Sequence, residues 1–295
     1  MKRLFIFLLI LSPQSFAATT DDCFSAIYSL NEGRLDEAIT LYSQCIESGS
    51  LSKKNLIVAH NDRGNAYGRK GEYASALADF NKVIELNPED SDAYYNRGLT
   101  YKNQEDYDHA IDDYTLAIKL NPRYVNAYNN RGNVYGRKGD YKAAITDFNQ
   151  TIFLSPDNAG AYFNRGLAYY SQGLYLLAIE DLQKAIELNP KYHKAYENLA
   201  WLRATCPEER YRDGDQAIVL AKKARFLRDG DDIGLWEVLA AAYARAGKYD
   251  HARKYMELSI ENAKGKRSIV ELQQRLKLYE AGKQYSDKVS NKFLI

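Results

Sequence analysis

The sequence predicts an all-α fold, a right-handed α-solenoid of about seven helix–turn–helix repeats followed by a C-terminal capping helix. Two observations predict it. Proline recurs every 34 residues, and glycine, tyrosine and alanine recur at the same spacing within each interval. The recurring residues are Pro88, Pro122, Pro156 and Pro190; Gly64, Gly98, Gly132 and Gly166; Tyr67, Tyr101, Tyr135 and Tyr169; and Ala76, Ala110, Ala144 and Ala178. A fixed period of this length indicates one supersecondary unit that is copied and stacked.

Residues 91–124 illustrate how one period maps onto two helices. Ser91 is expected to cap the first helix, and the polar residues 103–106 to form the turn. Asn121 is expected to end the second helix, because a residue before proline is pushed out of helical geometry. The residues that face the partner helix are Tyr94, Gly98, Tyr101, Ala110, Tyr114 and Ala117. We expect the small residues where the helices approach most closely and the tyrosines in the space around them.

This pattern resembles the tetratricopeptide repeat (TPR), a helix–turn–helix unit of 34 residues. The resemblance rests on the six residues just given, on Pro122, and on a register shared by four consecutive repeats. We number seven repeats: 19–53, 57–90, 91–124, 125–158, 159–192, 193–232 and 233–266, of which the first, sixth and seventh match more weakly. An amphipathic capping helix is predicted over residues 268–281. The solenoid is thus expected over residues 18–282, with a flexible tail over residues 283–295.

The first residues predict export. Lys2 and Arg3 precede an apolar run over residues 4–11, and Ala17 ends a group of small residues suited to signal peptidase. We interpret residues 1–17 as a signal peptide cleaved after Ala17, which sends the protein to the periplasm or outside the cell. The apolar run is short for a membrane span, so no span is expected after cleavage. An uncleaved anchor is the alternative.

Three cysteines bear on the compartment. Cys23 and Cys45 lie at similar distances on either side of the first predicted turn, so an antiparallel helix pair would bring them together. Export permits a disulfide there; the alternative is two small buried apolar residues. Cys206, beside Pro207, has no obvious partner and is expected to be a free thiol.

Charge and motifs indicate no reaction centre. The 40 basic and 39 acidic residues nearly cancel, so net charge gives no reason to expect nucleic acid as a partner. No zinc-protease motif, phosphate-binding glycine loop or nucleophile elbow occurs. The four histidines lie in different repeats. We therefore predict no enzyme activity, no cofactor and no metal site.

Arginine and aspartate recur with the repeat. Arg63, Arg97, Arg131 and Arg165 precede Asp79, Asp113, Asp147 and Asp181 by 16 residues each. Since the arginine falls on the first helix and the aspartate on the second, each pair is expected to be an ion pair between the two helices.

The TPR resemblance implies that the first helix of each repeat lines a concave groove. The residues expected to face it are the second, fifth, sixth, ninth, twelfth and thirteenth of each repeat, here called the groove positions. Asparagine occupies the sixth position of four consecutive repeats, at Asn96, Asn130, Asn164 and Asn198. An asparagine amide both donates and accepts hydrogen bonds, so such a ladder could bind a peptide backbone whatever its side chains. The alternative is a surface residue that was copied with the repeat.

The groove positions also alternate in character. Arg69 and Arg137 lie at groove positions of polar repeats, whereas Tyr95 with Leu99, and Phe163 with Leu167, make repeats 3 and 5 apolar. These residues and the asparagine ladder are the predicted peptide-binding residues. The predicted function is a scaffold that binds a protein or an extended peptide in the groove. The alternative is an accessory or regulatory subunit of an envelope enzyme or assembly complex that docks by convex or edge surfaces.

Overall fold

The computed structural model describes residues 20–228, 233–263 and 269–286. These residues form fifteen α-helices and one short 3-10 helix, with no strand among them, which confirms the predicted all-α solenoid class. The chain divides into two compact parts, Met1–Asn121 and Pro122–Ile295. The first holds repeats 1–3, and the second holds repeats 4–7 with the C-terminal helix.

The N-terminal part contains three helix pairs. Its helices are α1 Thr20–Asn31, α2 Leu35–Glu47, α3 Lys53–Lys70, α4 Tyr73–Leu86, α5 Ser91–Asn103 and α6 Tyr107–Leu120. The two helices of each repeat pack together, and α2 with α3 and α4 with α5 join consecutive repeats. The disulfide predicted between Cys23 and Cys45 is present and links α1 to α2, with Cα atoms 5.8 Å apart.

The C-terminal part contains four helix pairs and one further helix. Its helices are α7 Val125–Arg137, α8 Tyr141–Leu154, α9 Ala159–Ser171, α10 Tyr175–Leu188, α11 His193–Thr205, α12 Gly214–Arg228, α13 Ile233–Arg245, α14 Tyr249–Ala263 and α15 Val270–Glu280. Cys206 lies in the longer connection of repeat 6, which includes the 3-10 helix Glu209–Tyr211. Cys206 is buried and unpaired, and burial raises the pKa of its thiol.

Local residues explain where the helices begin and turn. The expectation that Ser91 caps α5 is wrong by one residue: Asp90 is the cap, and its carboxylate accepts hydrogen bonds from the backbone N–H groups of Asp92 and Ala93. The turn between paired helices uses a left-handed residue in repeats 2 to 5. It is glycine at Gly71, Gly139 and Gly173, but glutamate at Glu105, with φ of 62°.

Close helix approach explains the recurring glycine of the first helix. A Cβ atom added to Gly132 would lie 2.8 Å from Phe148 Cε1, and one added to Gly64 would lie 2.9 Å from Phe80 Cε1. The side chains of Phe80 and Phe148 are buried in the core, each against the first helix of its own repeat. The expectation that small residues permit this approach is confirmed.

The four predicted ion pairs form. In repeat 3 the Arg97 Nε and Nη2 atoms donate to the two carboxylate oxygens of Asp113 at 2.8 and 2.7 Å. Repeats 2, 4 and 5 contain the same forked contact, between Arg63 and Asp79, Arg131 and Asp147, and Arg165 and Asp181.

The C-terminal end departs from the prediction. Helix α15 packs on α14, as a cap should. The flexible tail predicted from residue 283 needs correction, because residues 284–286 lie against α11 and α13, where Tyr285 is half-buried. A left-handed Gly282 turns the chain back after α15. The predicted signal peptide, residues 1–17, and the rest of the tail, residues 287–295, lie outside the described residues.

Candidate functional site

The groove positions of α3 and α5 form the candidate site in the N-terminal part. Asn96 Nδ2 donates to Asn61 Oδ1 at 3.0 Å, so asparagines of consecutive repeats are joined. Both side chains are half-buried. At the sixth position of repeat 2, Asp62 accepts a hydrogen bond from the Tyr42 hydroxyl at 3.0 Å, and burial raises the pKa of Asp62. Amide and carboxylate groups therefore face one side of these two helices.

The apolar residues of repeat 3 lie next to this polar row. Tyr95 and Leu99 are half-buried, and the Tyr95 ring lies 5.8 Å from the ring of the buried Tyr114. Part of each side chain thus remains open to solvent. Arg69 is exposed, and its Nη1 atom donates to the Leu30 carbonyl at 3.1 Å.

An apolar pocket lies nearer the start of the N-terminal part. It has a volume of about 150 Å³ and is lined mainly by Ile27, Tyr42, Leu51 and Val58. Val58 occupies the second position of repeat 2 and is 43% exposed. Sequence reasoning missed this pocket, because it depends on how α1, α2 and α3 meet.

In the C-terminal part, α7 and α9 repeat the asparagine contact. Asn164 Nδ2 donates to Asn133 Oδ1 at 2.8 Å, and Asn130, on the same helix as Asn133, is half-buried. Arg137 is exposed at the end of α7. The sixth-position asparagines of repeats 3 and 5 thus each bond to an asparagine at a groove position of the preceding repeat.

The last asparagine of the predicted ladder differs from the others. Asn198 is 8% exposed, and its Nδ2 atom donates to the Lys194 carbonyl of its own helix at 2.8 Å. Its Oδ1 atom has no hydrogen-bond partner among the described residues. It lines a cavity of about 10 Å³ together with Tyr170 and Trp201, which is close to the minimum space for one water molecule.

Phe163 and Leu167 lie deeper than the apolar residues of repeat 3. They are 7% and 5% exposed and belong to a core cluster. The Phe163 ring lies 4.9 Å from the ring of Tyr192, which covers it. The two apolar repeats are therefore not equivalent: side chains of repeat 3 are accessible, whereas those of repeat 5 are largely packed.

Sequence reasoning also missed a cluster on α11, α13 and α15. Arg275 and Glu237 form a buried ion pair, with an N–O distance of 3.0 Å. The Arg275 guanidinium lies 5.3 Å from the centre of a Trp201 ring. Trp201 occupies the ninth position of repeat 6, and Glu237 occupies the fifth position of repeat 7. Both are groove positions, so their register in the sequence could have identified them as candidate site residues.

The described residues contain no group of three or more histidine, cysteine, aspartate or glutamate side chains arranged to hold a metal ion. Among the same residues, no helix has an apolar stretch long enough to cross a membrane. Within each part, the groove positions present amide, carboxylate, aromatic and guanidinium groups on the first helices of successive repeats. Such groups bind other molecules through hydrogen bonds and apolar contact.

Stacked helix pairs with polar and aromatic groups on the first helices define a helical repeat protein of the interaction-scaffold class. Models described as TPR repeat or tetratricopeptide repeat match residues 64–105, 91–124, 114–146, 132–173, 159–192 and 233–265. The chain belongs to the tetratricopeptide repeat family.

Solved structures have a similar fold. MamA is 29% identical, with a TM-score of 0.52 over 60% of this chain and 94% of MamA. PilF from Pseudomonas aeruginosa is 17% identical, with a TM-score of 0.65 over 78% of this chain and 99% of PilF. A tetratricopeptide repeat protein from Parabacteroides merdae is 17% identical, with a TM-score of 0.63 over 88% of this chain and 98% of that protein. Among curated proteins, no sequence matches this chain.

Proposed function

We propose that this chain is a scaffold that binds an extended segment of another protein along its groove positions. The observation that carries the proposal is the pair of asparagine contacts, Asn61 with Asn96 and Asn133 with Asn164. An asparagine amide has two N–H donors and a carbonyl oxygen with two lone pairs, so one contact leaves capacity for a peptide group. Because each pair holds its amides in place, less side-chain entropy is lost when a ligand binds.

Accessible apolar groups beside the asparagines supply side-chain contacts. Tyr95 and Leu99 lie in the same first helix as Asn96, and the pocket near Val58 lies one repeat earlier. A ligand with apolar side chains would use these surfaces, while its backbone would pair with the amides. In repeat 5, the packing of Phe163 leaves the asparagine pair as the main contact.

The test begins with peptides selected from a random library on the wild-type protein. Their affinities are then measured for Asn61→Ala/Asn96→Ala and for Asn133→Ala/Asn164→Ala, with Gln183→Ala, an exposed amide on a second helix, as the matched control. Loss of two hydrogen bonds at about 1 kcal/mol each weakens binding by about tenfold or more. Unchanged affinity in both double variants would rule out the groove positions.

A second candidate function is favoured by exposed aromatic residues on second helices. Phe153 of α8 and Phe226 of α12 are 77% and 80% exposed. They would suit an accessory or regulatory subunit of an envelope enzyme or assembly complex that docks by convex or edge surfaces. Phe153→Ser and Phe226→Ser would then abolish complex formation, whereas the asparagine variants would leave it unchanged.

We also propose that the protein works outside the cytoplasm, in the periplasm or after secretion. The charge and apolar pattern of residues 1–17 and the Cys23–Cys45 disulfide support this. N-terminal sequencing of the protein from its native cells should give Ala18 as the first residue. A mature protein that still begins with Met1 would contradict cleavage.

A further inference from the structure

The groove positions of α11 and α13 hold a segment of the chain itself. After α15, Gly282 turns the backbone, and residues 284–286 cross these two helices. Ser286 Oγ donates to the Thr205 carbonyl at 3.4 Å, and Arg245 Nη2 donates to the Tyr285 carbonyl at 3.2 Å. Thr205 and Arg245 both lie at the thirteenth position of their repeats, where an external ligand would lie in a TPR groove.

Tyr285 rests on an aromatic and cationic platform. Its ring centre lies 4.4 Å from the Arg275 guanidinium and 6.0 Å from a ring of Trp201. Arg275 is itself fixed by the buried pair with Glu237, so the platform does not depend on the tail. A cation over an aromatic face favours an aromatic side chain at this point.

Among the described residues, the side chains of two arginines beside the platform donate only to neutral groups. Arg245 donates to the Ala204 carbonyl, to Gln284 Oε1 and to the Tyr285 carbonyl. Arg212 donates to two carbonyls of its own loop and, at 3.3 Å, to Ser286 Oγ. Within the described ranges, neither guanidinium has a carboxylate in ion-pair contact. Burial lowers the pKa of Arg245 and the nearby positive charge of Arg212 lowers it further, while the negative charge of Glu209 acts in the opposite direction without outweighing them.

We propose that this surface, formed by Trp201, Arg212, Arg245 and Arg275, is a binding site for an extended partner segment with an aromatic residue followed by an acidic one. Residues 284–286 fill it as an internal substitute until the partner displaces them. Charge favours the exchange, because a carboxylate next to Arg212 and Arg245 supplies the anion that the Ser286 hydroxyl does not. The inference deepens the scaffold function by assigning a ligand class to repeats 6 and 7.

The test uses the full-length chain and labelled synthetic peptides of residues 281–290, read by fluorescence anisotropy. The protein variant Tyr285→Ala loosens the internal segment, and Lys283→Ala, an exposed change in the same segment, is the control. A tethered segment competes at a high effective concentration. The peptide should therefore bind Tyr285→Ala about tenfold more tightly than it binds wild type or Lys283→Ala.

Two further comparisons test the chemistry. In the Tyr285→Ala background, a peptide carrying Ser286→Glu should bind about three- to fivefold more tightly than its parent, and a peptide carrying Tyr285→Ala should bind more weakly. Arg245→Ala in the protein should weaken binding by about tenfold, whereas Arg253→Ala, outside the surface, should not. Trp201 emission should shift to the red in the Tyr285→Ala protein, because its ring loses a covering group.

Several results would overturn the proposal. One is no binding of either peptide to Tyr285→Ala at millimolar concentration while its circular dichroism remains native. Another is equal binding to wild type and Tyr285→Ala. A wild-type dimer that Tyr285→Ala dissociates would identify a second copy of the chain as the occupant instead. None of these results bears on the asparagine pairs, whose test uses different ligands and different repeats.

Discussion

Arg97 Nη1 donates a hydrogen bond to Asn81 Oδ1 at 2.6 Å, across the boundary between repeats 2 and 3. The same guanidinium forms the fork with Asp113 inside its own repeat. One arginine therefore ties three helices, α4, α5 and α6. Arg165 does the same with Asn149 and Asp181, and Arg63 with Ser43 and Asp79.

We expect Arg97→Ala to lower the free energy of unfolding by about 3 kcal/mol, because it leaves the buried Asp113 carboxylate without its partner. Asn81→Ala should cost about 1 kcal/mol, since only one hydrogen bond is lost. Arg97→Lys should fall between them, as it keeps the charge and loses the fork. Urea denaturation measures all three. Equal losses for Arg97→Ala and Asn81→Ala would mean that the fork contributes little.

Gly132→Ala should destabilise the C-terminal part by about 1–3 kcal/mol, because the new methyl group meets Phe148 within 2.8 Å. Gly68→Ala is the matched control on a first helix, where nothing lies within 4 Å of the added atom. It should be neutral or stabilise by up to about 1 kcal/mol, since alanine favours helix. Thermal unfolding of both variants measures these changes in stability. A neutral Gly132→Ala would contradict the close approach of Gly132 to Phe148.

Glu105→Gly should stabilise the protein by about 1 kcal/mol. Glu105 has φ of 62° at a turn position where repeats 2, 4 and 5 have glycine, and left-handed backbone costs a residue with a Cβ about 1–2 kcal/mol. Glu105→Ala, which keeps the Cβ, is the control and should give no comparable gain. Chemical denaturation that ranks the two variants equally would exclude backbone strain at this turn.

Reduction of the Cys23–Cys45 disulfide should destabilise repeat 1 by about 3 kcal/mol, the entropy of a loop with a separation of 22 residues. Cys23→Ser/Cys45→Ser should reproduce the effect, and Cys206→Ser should leave the response to reductant intact. Hydrogen exchange of α1 and α2 in the presence and absence of dithiothreitol measures it. Thiol titration of the unfolded, unreduced chain should find one thiol, from Cys206.

His60→Tyr should raise the pKa of Asp79. Burial raises this pKa, but hydrogen bonds from His60 and Arg63 together outweigh burial and hold it below the ordinary value. Since the native pKa is depressed, the stability that Asp79 contributes is present above the unfolded pKa of about 3.9. It is lost as pH falls through the lower native value.

The His60→Tyr variant should therefore begin to lose stability at a higher pH than wild type. Tyrosine occupies the matching position of repeats 3, 4 and 5, at Tyr94, Tyr128 and Tyr162, so the fold should tolerate it. Carbon-13 NMR of the Asp79 carboxyl group measures the pKa, and acid titration measures the stability. An unchanged carboxyl pKa would show that Arg63 alone sets it.

Contacts inside one repeat could be predicted from the sequence, because both partners recur in one register. The fork of Arg97 with Asp113 and the close approach at Gly132 are of this kind. The contact of Arg97 with Asn81 could not be predicted, since it depends on how one repeat stacks on the previous one. The burial of Phe163 was also missed, because Tyr192, which covers it, lies in the connection between α10 and α11 and not in a helix of the repeat.

The candidate site was predicted less completely than the fold. The register predicted that Asn96 and Asn164 face the groove, but not that each would bond to an asparagine of the preceding repeat. It gave no sign that Tyr285 would lie over Trp201, because that contact requires α15 to bring Arg275 against Glu237 and Gly282 to reverse the chain. Contacts between segments that do not belong to the repeat cannot be recognised from the 34-residue spacing.

The arginine that ties three helices has a consequence for how such a gene can change. In repeats 2, 3 and 5 the arginine, its aspartate and the residue that receives its third hydrogen bond occupy fixed places, and the receiving residue always comes from the copy before. A pair of repeats gained or lost by unequal recombination would carry its own arginine and aspartate, and the new junction would again place a side-chain oxygen of the preceding repeat beside the arginine. The number of repeats can therefore change without a compensating mutation at the junction.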